Sequence, residues 1–234
     1  MKISILSQDK RYKFLCESLC KMGFDAKIER LPCGCEDFII LPVKREHNDK
    51  ELEQIFLRVK KGTTALSPYT QAGFRGRLID YSKDEAFLKE NAYITAEGAI
   101  SLFYSEMKES LLSKEAIILG YGRIGKYLAK MLKNQGANVS VFARKKEVKS
   151  EIILDGNYVI ELNEIRNKKP FVLFNTVPCK ITDEIFDFPI IELASSENNF
   201  NSKNTIINGR GLPGKMFPKT AAEALLKVIL PYLT

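Results

Sequence analysis

The sequence of 234 residues has no apolar run approaching the roughly 18 residues that a membrane-spanning helix needs. The apolar run in Met1–Leu6 is too short for a signal peptide. There is also no zinc-finger, RNP-like or helix-turn-helix pattern, which argues against recognition of a nucleic acid. These absences predict a cytoplasmic protein that binds neither a membrane nor a nucleic acid.

The sequence contains only one histidine, and its five cysteines are an odd number. An odd count in a cytoplasmic chain indicates free thiols. Cys16 and Cys20 are four residues apart and Cys33 and Cys35 are two apart, so neither pair has the C-x2-C spacing of a zinc knuckle. His47 lies in a polar run and is interpreted as a surface-loop residue. We therefore predict no metal site.

The charge of the chain is mildly basic, with 36 Lys and Arg against 29 Asp and Glu and a net charge of +7. This excess favours an anionic small-molecule ligand. A hydrophobic content of 45% is ordinary for a globular protein and supplies enough apolar residues for a core.

The most informative feature is the glycine pattern of residues 120–125, Gly-Tyr-Gly-Arg-Ile-Gly. It follows a predicted buried strand at 115–119 and precedes a predicted helix at 126–135, as in a dinucleotide-binding βαβ unit. Gly120 permits the tight turn, Gly122 lets the backbone approach a pyrophosphate, and Gly125 permits close packing of helix on strand. The helix start, with Arg123 and Ile124, is predicted to contact the cofactor.

A second strand, predicted at 137–143, ends at Arg144 and Lys145. Enzymes that use NAD usually carry a carboxylate near this position, which would repel a 2′-phosphate. A guanidinium binds a phosphate in a bidentate manner, so Arg144 favours NADP over NAD. The alternative is a basic loop on a basic protein.

The order of predicted strands and helices indicates an α/β protein with two domains, each a mainly parallel sheet with flanking helices. The second domain is predicted to be of the Rossmann type. A long helix is predicted to begin at Thr95 as its N-cap and to run to about Leu112. The predicted organisation is a substrate or partner domain at 1–94, a connecting helix at 95–112, a Rossmann domain at 113–217, and a closing helix at 218–234 that packs back on the first domain.

Loops that leave the carboxyl ends of the later strands are expected to contact ligands, in a cleft between the domains. The Gly- and Pro-rich segment 208–215 is expected to be one such loop. Two further loops supply the remaining predicted cofactor contacts, which are Asn175, Thr176, Val177, Pro178, Ala194 and Ser195.

These loops and the glycine pattern resemble the A subunit of dipicolinate synthase, a spore enzyme. The resemblance covers most of the chain and is weaker before residue 90. The matching stretches are Thr95–Gly98, Leu119–Gly125, Gly136–Val139 with Ala143-Arg144, Asn175–Pro178, Glu192–Ser195, and Gly211–Gly214 with Pro218–Ala221. Three departures are a shorter first domain, Ser196–Phe200 in place of a Pro-Gly-Gly-type stretch, and Ile94 in place of Pro.

This resemblance implies oxidation of dihydrodipicolinate to the aromatic dicarboxylate with NADP⁺ as hydride acceptor. It implies that the partner is a flavoprotein-like B subunit, in the mother cell of a sporulating bacterium. It also implies a two-domain fold similar to that of shikimate and methylenetetrahydrofolate dehydrogenases.

A dicarboxylate substrate needs cationic hydrogen-bond donors. Glu97 is the candidate base for the proton lost on aromatisation, although a carboxylate near a helix start commonly stabilises its own helix. The candidate substrate-binding residues are Arg11, Thr95, Arg210, Lys215 and Lys219.

Two other functions remain open. One is a non-catalytic NADP-binding regulatory subunit, which the scarcity of acid–base residues favours. The other is a reductase of another small acid, similar to shikimate dehydrogenase, although no Lys–Asp pair is identified. A D-2-hydroxy-acid dehydrogenase activity is disfavoured because that family depends on a histidine late in the cofactor domain. A homo-oligomer is compatible with each of these functions.

Overall fold

Short strands alternate with helices along the chain, as in an α/β protein. The computed structural model describes residues 1–69, 74 and 76–233. The strands are β1 (Lys2–Ile5), β2 (Asp25–Ile28), β3 (Phe38–Ile40), β4 (Thr64–Leu66), β5 (Arg77–Ile79), β6 (Glu115–Leu119), β7 (Asn138–Phe142), β8 (Tyr158–Val159), β9 (Val172–Asn175), β10 (Ile190–Glu192) and β11 (Ile206–Asn208). The helices are α1 (Lys10–Lys21), α2 (Asp49–Arg58), α3 (Glu85–Met107), α4 (Arg123–Asn134), α5 (Lys146–Leu154), α6 (Ile165–Lys168), α7 (Leu212–Met216) and α8 (Pro218–Ile229).

The strands form two sheets in which the described pairings are parallel. The first sheet has the order β2-β1-β3-β4-β5, a common order of doubly wound sheets. The second has the order β11-β10-β9-β6-β7-β8, which is the Rossmann order when β6 is counted as its first strand. The predicted fold class, with two parallel sheets and a Rossmann second domain, is confirmed.

The described chain divides into two compact units. One comprises residues 1–91 and 213–234, and in it α8 packs against α1. The other comprises residues 92–212 and contains the glycine pattern. The division falls inside α3 and at the start of α7, whereas the predicted boundaries lie after residues 94, 112 and 217.

The core of the second unit lies on both faces of its sheet, as expected when helices cover a parallel sheet. Ile118 on β6 joins a cluster that includes Phe103 of α3 and Leu128 of α4, all fully buried or nearly so. Ile117 points to the opposite face and packs with residues that include Leu173 of β9. The central strand β6 is therefore held from both sides, which positions the loop that follows it.

The predicted start of the long helix at Thr95 is wrong, because α3 begins ten residues earlier, at Glu85. Asp84 supplies the cap, since its Oδ1 accepts a hydrogen bond from the backbone N–H of Phe87 at 2.8 Å. Thr95 is a buried residue in the helix interior. Gly98 gives room for Leu212, because a Cβ at residue 98 would lie 2.9 Å from the Cβ of Leu212.

Some elements were not expected from the sequence. Strands β2 and β8 are short edge strands, and only Ala26 of β2 is buried, so neither has a clear apolar pattern. The basic segment after Arg144 becomes helix α5, and the predicted loop at 208–215 contains the short helix α7. None of the helices in the described part of the chain is long and apolar enough to span a membrane.

Candidate functional site

The carboxyl ends of the strands in the second unit lie level with one another. Strand register pairs Leu119 with both Phe142 and Asn175, pairs Asn175 with Glu192, and pairs Glu192 with Asn208. The loops that follow these five residues therefore emerge along one edge of the sheet. The strand order reverses between β6 and β9, and ligands bind at such a switch point in open α/β sheets.

Two glycines of the pattern allow a close approach between the loop after β6 and its neighbours. Gly120 has a φ of +94°, and a Cβ there would lie 2.5 Å from Oγ1 of Thr176. A Cβ on Gly125 would lie 2.2 Å from the carbonyl oxygen of Gly120. A side chain at residue 125 would force the start of α4 away from the end of β6, whereas one at residue 120 would collide with the loop after β9.

Gly122 has a different environment, because a Cβ built on it meets nothing within 4 Å among the described atoms. It is the N-cap of α4, and its lack of a side chain leaves the first backbone N–H groups of the helix without a side-chain cap of their own. Open space next to the amino end of a helix suits a pyrophosphate. The residues at 120–125 thus fit a dinucleotide, with Arg123 exposed and Ile124 packed on the core.

A pocket of about 280 Å³ lies beside the glycine loop. Arg144 and Lys145, which follow β7, line it. Its other lining residues are Gly120, Tyr121, Gly122, Phe142, Ala143, Val148 and Val177. The guanidinium of Arg144 is exposed and donates from Nη2 to Sγ of Cys179 at 2.9 Å. The pocket therefore combines the glycine loop with Arg144, which is predicted to distinguish NADP from NAD, and with Lys145.

The loop after β9 is bound to the glycine loop. The backbone N–H and the Oγ1 of Thr176 both donate to the carbonyl of Leu119, at 2.9 and 2.8 Å. Val177 lines the pocket, and Pro178 follows it in the same loop. The side chain of Asn175 is fully buried, and its Nδ2 donates to Glu192 and to the carbonyl of Val177. Asn175 therefore holds the loop by contacts within the protein.

Glu192 was not identified as a site residue from the sequence. Its carboxylate is 3% exposed and accepts hydrogen bonds from Nδ2 of Asn175, from the backbone N–H of Ala194 at 2.9 Å, and from Nδ2 of Asn199 at 3.0 Å. These donors come from the last residue of β9 and from the loop after β10. A buried carboxylate must have such partners, because an unpartnered one costs several kcal/mol. The only sequence signal was an acidic residue at the end of an apolar strand.

Arg210 also stabilises the loop after β10, through hydrogen bonds to its backbone. Nε of Arg210 donates to the carbonyl of Ala194 at 2.8 Å, and its Nη2 donates to the carbonyl of Ser196. Ala194 is buried, whereas Ser195 is exposed. Arg210 was predicted to bind substrate, but these two donors of its guanidinium are bound to backbone carbonyls.

The remaining predicted cations belong to the first unit. Arg11 lies in the first turn of α1, is 3% exposed, and forms an ion pair from Nε to Oδ1 of Asp9 at 3.2 Å. Its Nη1 is buried with no hydrogen-bond partner among the described atoms. Lys215 of α7 and Lys219 of α8 are exposed.

Thr95 and Glu97 belong to the second unit. Glu97 is exposed, and since it lies in the interior of α3, the alternative role of stabilising a helix start does not apply. His47, interpreted as a surface residue, is instead half-buried, with Nε2 2.8 Å from the carbonyl of Leu6.

The described geometry agrees with a comparison to protein-family models. Residues 88–208, which are more than half of the chain, match the NAD-binding domain of the D-isomer specific 2-hydroxyacid dehydrogenases. The chain belongs to this family. Membership supports an oxidoreductase with a nicotinamide dinucleotide cofactor. The single histidine, His47, lies outside the matched region.

The resemblance to the A subunit of dipicolinate synthase is confirmed. The chain is 28% identical to the A subunit of dipicolinate synthase of Bacillus subtilis (strain 168), with 98% of this chain and 94% of that protein covered. The crystal structure of the A subunit of dipicolinate synthase from Bacillus halodurans matches with a TM-score of 0.79 and 18% identity, covering 100% of this chain and 97% of that one. A transhydrogenase from Sinorhizobium meliloti matches with a TM-score of 0.69, 13% identity, and coverage of 99% and 93%. At these identities the two solved structures show the fold.

Two of the three glycines, Gly122 and Gly125, should separate cofactor binding from folding. Gly125→Ala should lower the free energy of unfolding by about 1–3 kcal/mol, because the added Cβ collides with backbone. Gly122→Ala should change it by no more than about 0.5 kcal/mol, yet weaken dinucleotide binding by about tenfold or more. Urea unfolding and calorimetric titration with NADP⁺ and NAD⁺ measure both effects. Wild-type affinity in Gly122→Ala would contradict this assignment.

Glu192→Gln should weaken cofactor binding indirectly. The amide NH₂ of the new glutamine would face donors that now bind the carboxylate. This should lower the free energy of unfolding by about 1–3 kcal/mol and loosen the loops after β9 and β10. Glu197→Gln, at an exposed position in the loop after β10, is the matched control and should behave as wild type. Unfolding and dinucleotide titration test both variants. Unchanged stability of Glu192→Gln would show that the network contributes nothing.

Proposed function

We propose that this protein is an NADP-dependent oxidoreductase that converts dihydrodipicolinate to dipicolinate during sporulation. In this proposal it is the cofactor-binding subunit of a two-subunit enzyme, and its partner is a flavoprotein-like B subunit. The observation that carries the proposal is the match to the A subunit of dipicolinate synthase over 98% of the chain. The open space at Gly122 and the pocket beside the glycine loop support this loop as the cofactor site.

The choice of NADP rests on the end of β7. Arg144 and Lys145 line the pocket at the position where a Rossmann domain contacts the adenosine ribose. Their positive charge favours a 2′-phosphate, and the Arg144 guanidinium can exchange its hydrogen bond to Cys179 for a stronger bond to phosphate oxygens.

Recognition of a dicarboxylate is assigned first to Arg11. A buried guanidinium whose Nη1 has no protein partner among the described atoms is expected to bind an anion, since an unpaired buried donor is costly. Asp9 orients this side chain through Nε and offsets part of its charge. Lys215 and Lys219 are exposed, and we propose that they add positive charge on the same unit.

The reaction removes a hydride and a proton from the dihydropyridine ring. A nicotinamide dinucleotide held at the glycine loop would supply the hydride acceptor, and a base or water must accept the proton. Glu97 is exposed on α3 and is the proposed acceptor. Thr95 and Arg210 are proposed to act near the substrate, with Arg210 holding the loop at Ala194 through its bonds to backbone carbonyls.

In a second proposed function, the protein is a non-catalytic NADP-binding subunit that regulates its partner or provides it with cofactor binding. The exposure of Glu97 favours this alternative, because a catalytic base is expected in a site that excludes water.

The deciding experiment measures NADPH formation from NADP⁺ and dihydrodipicolinate generated in situ, with and without the partner subunit. Turnover by this chain alone would establish an autonomous dehydrogenase, and Arg11→Met should then raise KM with a smaller effect on kcat. Turnover only with the partner would make this chain the cofactor half of a shared enzyme. Absence of turnover in both arrangements would refute the dipicolinate assignment.

Cofactor preference should depend on Arg144. Arg144→Gln should weaken NADP⁺ binding by about 10- to 100-fold while changing NAD⁺ binding little, because only the 2′-phosphate loses a charge-assisted hydrogen bond. Lys146→Gln, at the start of α5, is a control with a smaller expected effect. Calorimetric titration of both variants with both cofactors tests this. A wild-type preference for NAD⁺ would overturn the assignment.

A further inference from the structure

Two cysteine side chains in the first unit lie against each other. Cys33 and Cys35 are both exposed, and their Sγ atoms are 2.8 Å apart. Cys16 and Cys20 differ from this pair, because each donates from Sγ to the carbonyl of Ala26, at 3.4 and 3.3 Å. The pair at 33 and 35 is therefore a distinct and accessible dithiol.

The backbone holds the two thiols in this arrangement. Gly34 has a φ of +90°, and a Cβ there would lie 2.9 Å from the carbonyl oxygen of Arg58. The backbone N–H groups of Cys33 and Gly34 donate to the carboxylate of Glu36, which is 1% exposed. A tight turn anchored on a buried carboxylate thus places both sulfur atoms on one side of the chain.

The charges around the pair give its two sulfur atoms different roles. Nζ of Lys2 donates to Sγ of Cys35 at 3.5 Å, and this hydrogen bond raises the pKa of Lys2. The ammonium group therefore stays charged and lies within hydrogen-bond distance of Sγ of Cys35. The hydrogen bond between the two sulfur atoms raises the pKa of Cys33 to about 11, so Cys33 retains its proton. Cys35, which lies next to the cation, is therefore the attacking sulfur, and Cys33 is the resolving thiol.

A metal ion is a less suitable occupant. Cys33, Cys35 and Glu36 bring their ligand atoms within 4.8 Å of one another. However, the Glu36 oxygens already accept from two backbone N–H groups and from Oγ of Ser4. Tetrahedral zinc would hold its sulfur ligands about 3.8 Å apart, given bonds of about 2.3 Å. The shorter separation of 2.8 Å and the nearby ammonium favour thiol oxidation.

We propose that Cys33 and Cys35 form a reversible redox modification site that reacts with small-molecule disulfides. Cys35 loses its proton to solvent, attacks one sulfur of the disulfide, forms a mixed disulfide, and releases the first thiolate. Cys33 then loses its proton to solvent, attacks Sγ of Cys35, and releases the second thiolate. The protein pair is oxidised by two electrons to a Cys33–Cys35 disulfide, and the small-molecule disulfide is reduced to two thiols.

The position of the pair separates it from the proposed ligand contacts. Cys35 precedes β3 and Lys2 begins β1, so the dithiol lies at the amino edge of the first sheet. Arg11 follows the opposite, carboxyl end of β1. The proposal therefore stands independently of the proposed function, and oxidation is expected to leave dinucleotide affinity within about twofold of the reduced protein.

The test exposes the full-length chain to mixtures of reduced and oxidised glutathione, blocks the remaining thiols, and maps the cysteine peptides by mass spectrometry. A mass loss of about 2 Da in the peptide containing Cys33 and Cys35, reversed by dithiothreitol, is the expected result. Cys33→Ser should accumulate a glutathione mixed disulfide at Cys35. Lys2→Met should slow the reaction by about fivefold or more, whereas Lys13→Met, at an exposed position of α1, should not.

Three results would overturn the proposal. One is oxidation of Cys20, which is also exposed, ahead of the pair. Another is unchanged reactivity at residue 33 when Cys35 is replaced by Ser. The third is stoichiometric binding of zinc, added alone, with protection of both thiols from glutathione, which would identify a metal site. Thermal unfolding of each variant separates a loss of reactivity from a loss of fold.

Discussion

The close approach of Gly125 to the carbonyl of Gly120 is the constraint on which the cofactor unit depends. A Cβ at residue 125 would lie 2.2 Å from that oxygen, so only glycine lets the first turn of α4 rest against the end of β6. The amino end of the helix then faces the open space at Gly122. A single packing contact thus sets both the helix position and the geometry available to a pyrophosphate.

The buried carboxylate of Glu192 organises the other half of the same edge. It accepts hydrogen bonds from Asn175 at the end of β9 and from Ala194 and Asn199 in the loop after β10. Arg210 closes the loop after β10 from the other side through its bonds to backbone carbonyls. Asn175 and Arg210, which the sequence assigns to ligands, therefore bond to loop backbone carbonyls instead. Their contribution to ligand binding is to position these loops.

The first unit carries its chemistry in a different manner. Its sheet has a doubly wound strand order. Arg11 and the Cys33–Cys35 pair lie at opposite ends of β1. Arg11 at one end is buried with an unsatisfied donor, which suits an anion. Cys33 and Cys35 at the other end are exposed and lie beside an ammonium, which suits reaction with a disulfide.

The sequence by itself determined the α/β class, the Rossmann character of the second unit and the position of the glycine loop. These depend on short-range patterns, namely apolar runs, glycine spacing and the basic residues after β7. Only the tertiary structure decided that α3 begins at Glu85 rather than at Thr95, because Asp84 caps it. Only the structure showed that Glu192 is buried among donors and that Arg210 holds a backbone loop. Those roles depend on contacts between residues that are far apart in the sequence, and short-range sequence patterns do not reveal such contacts.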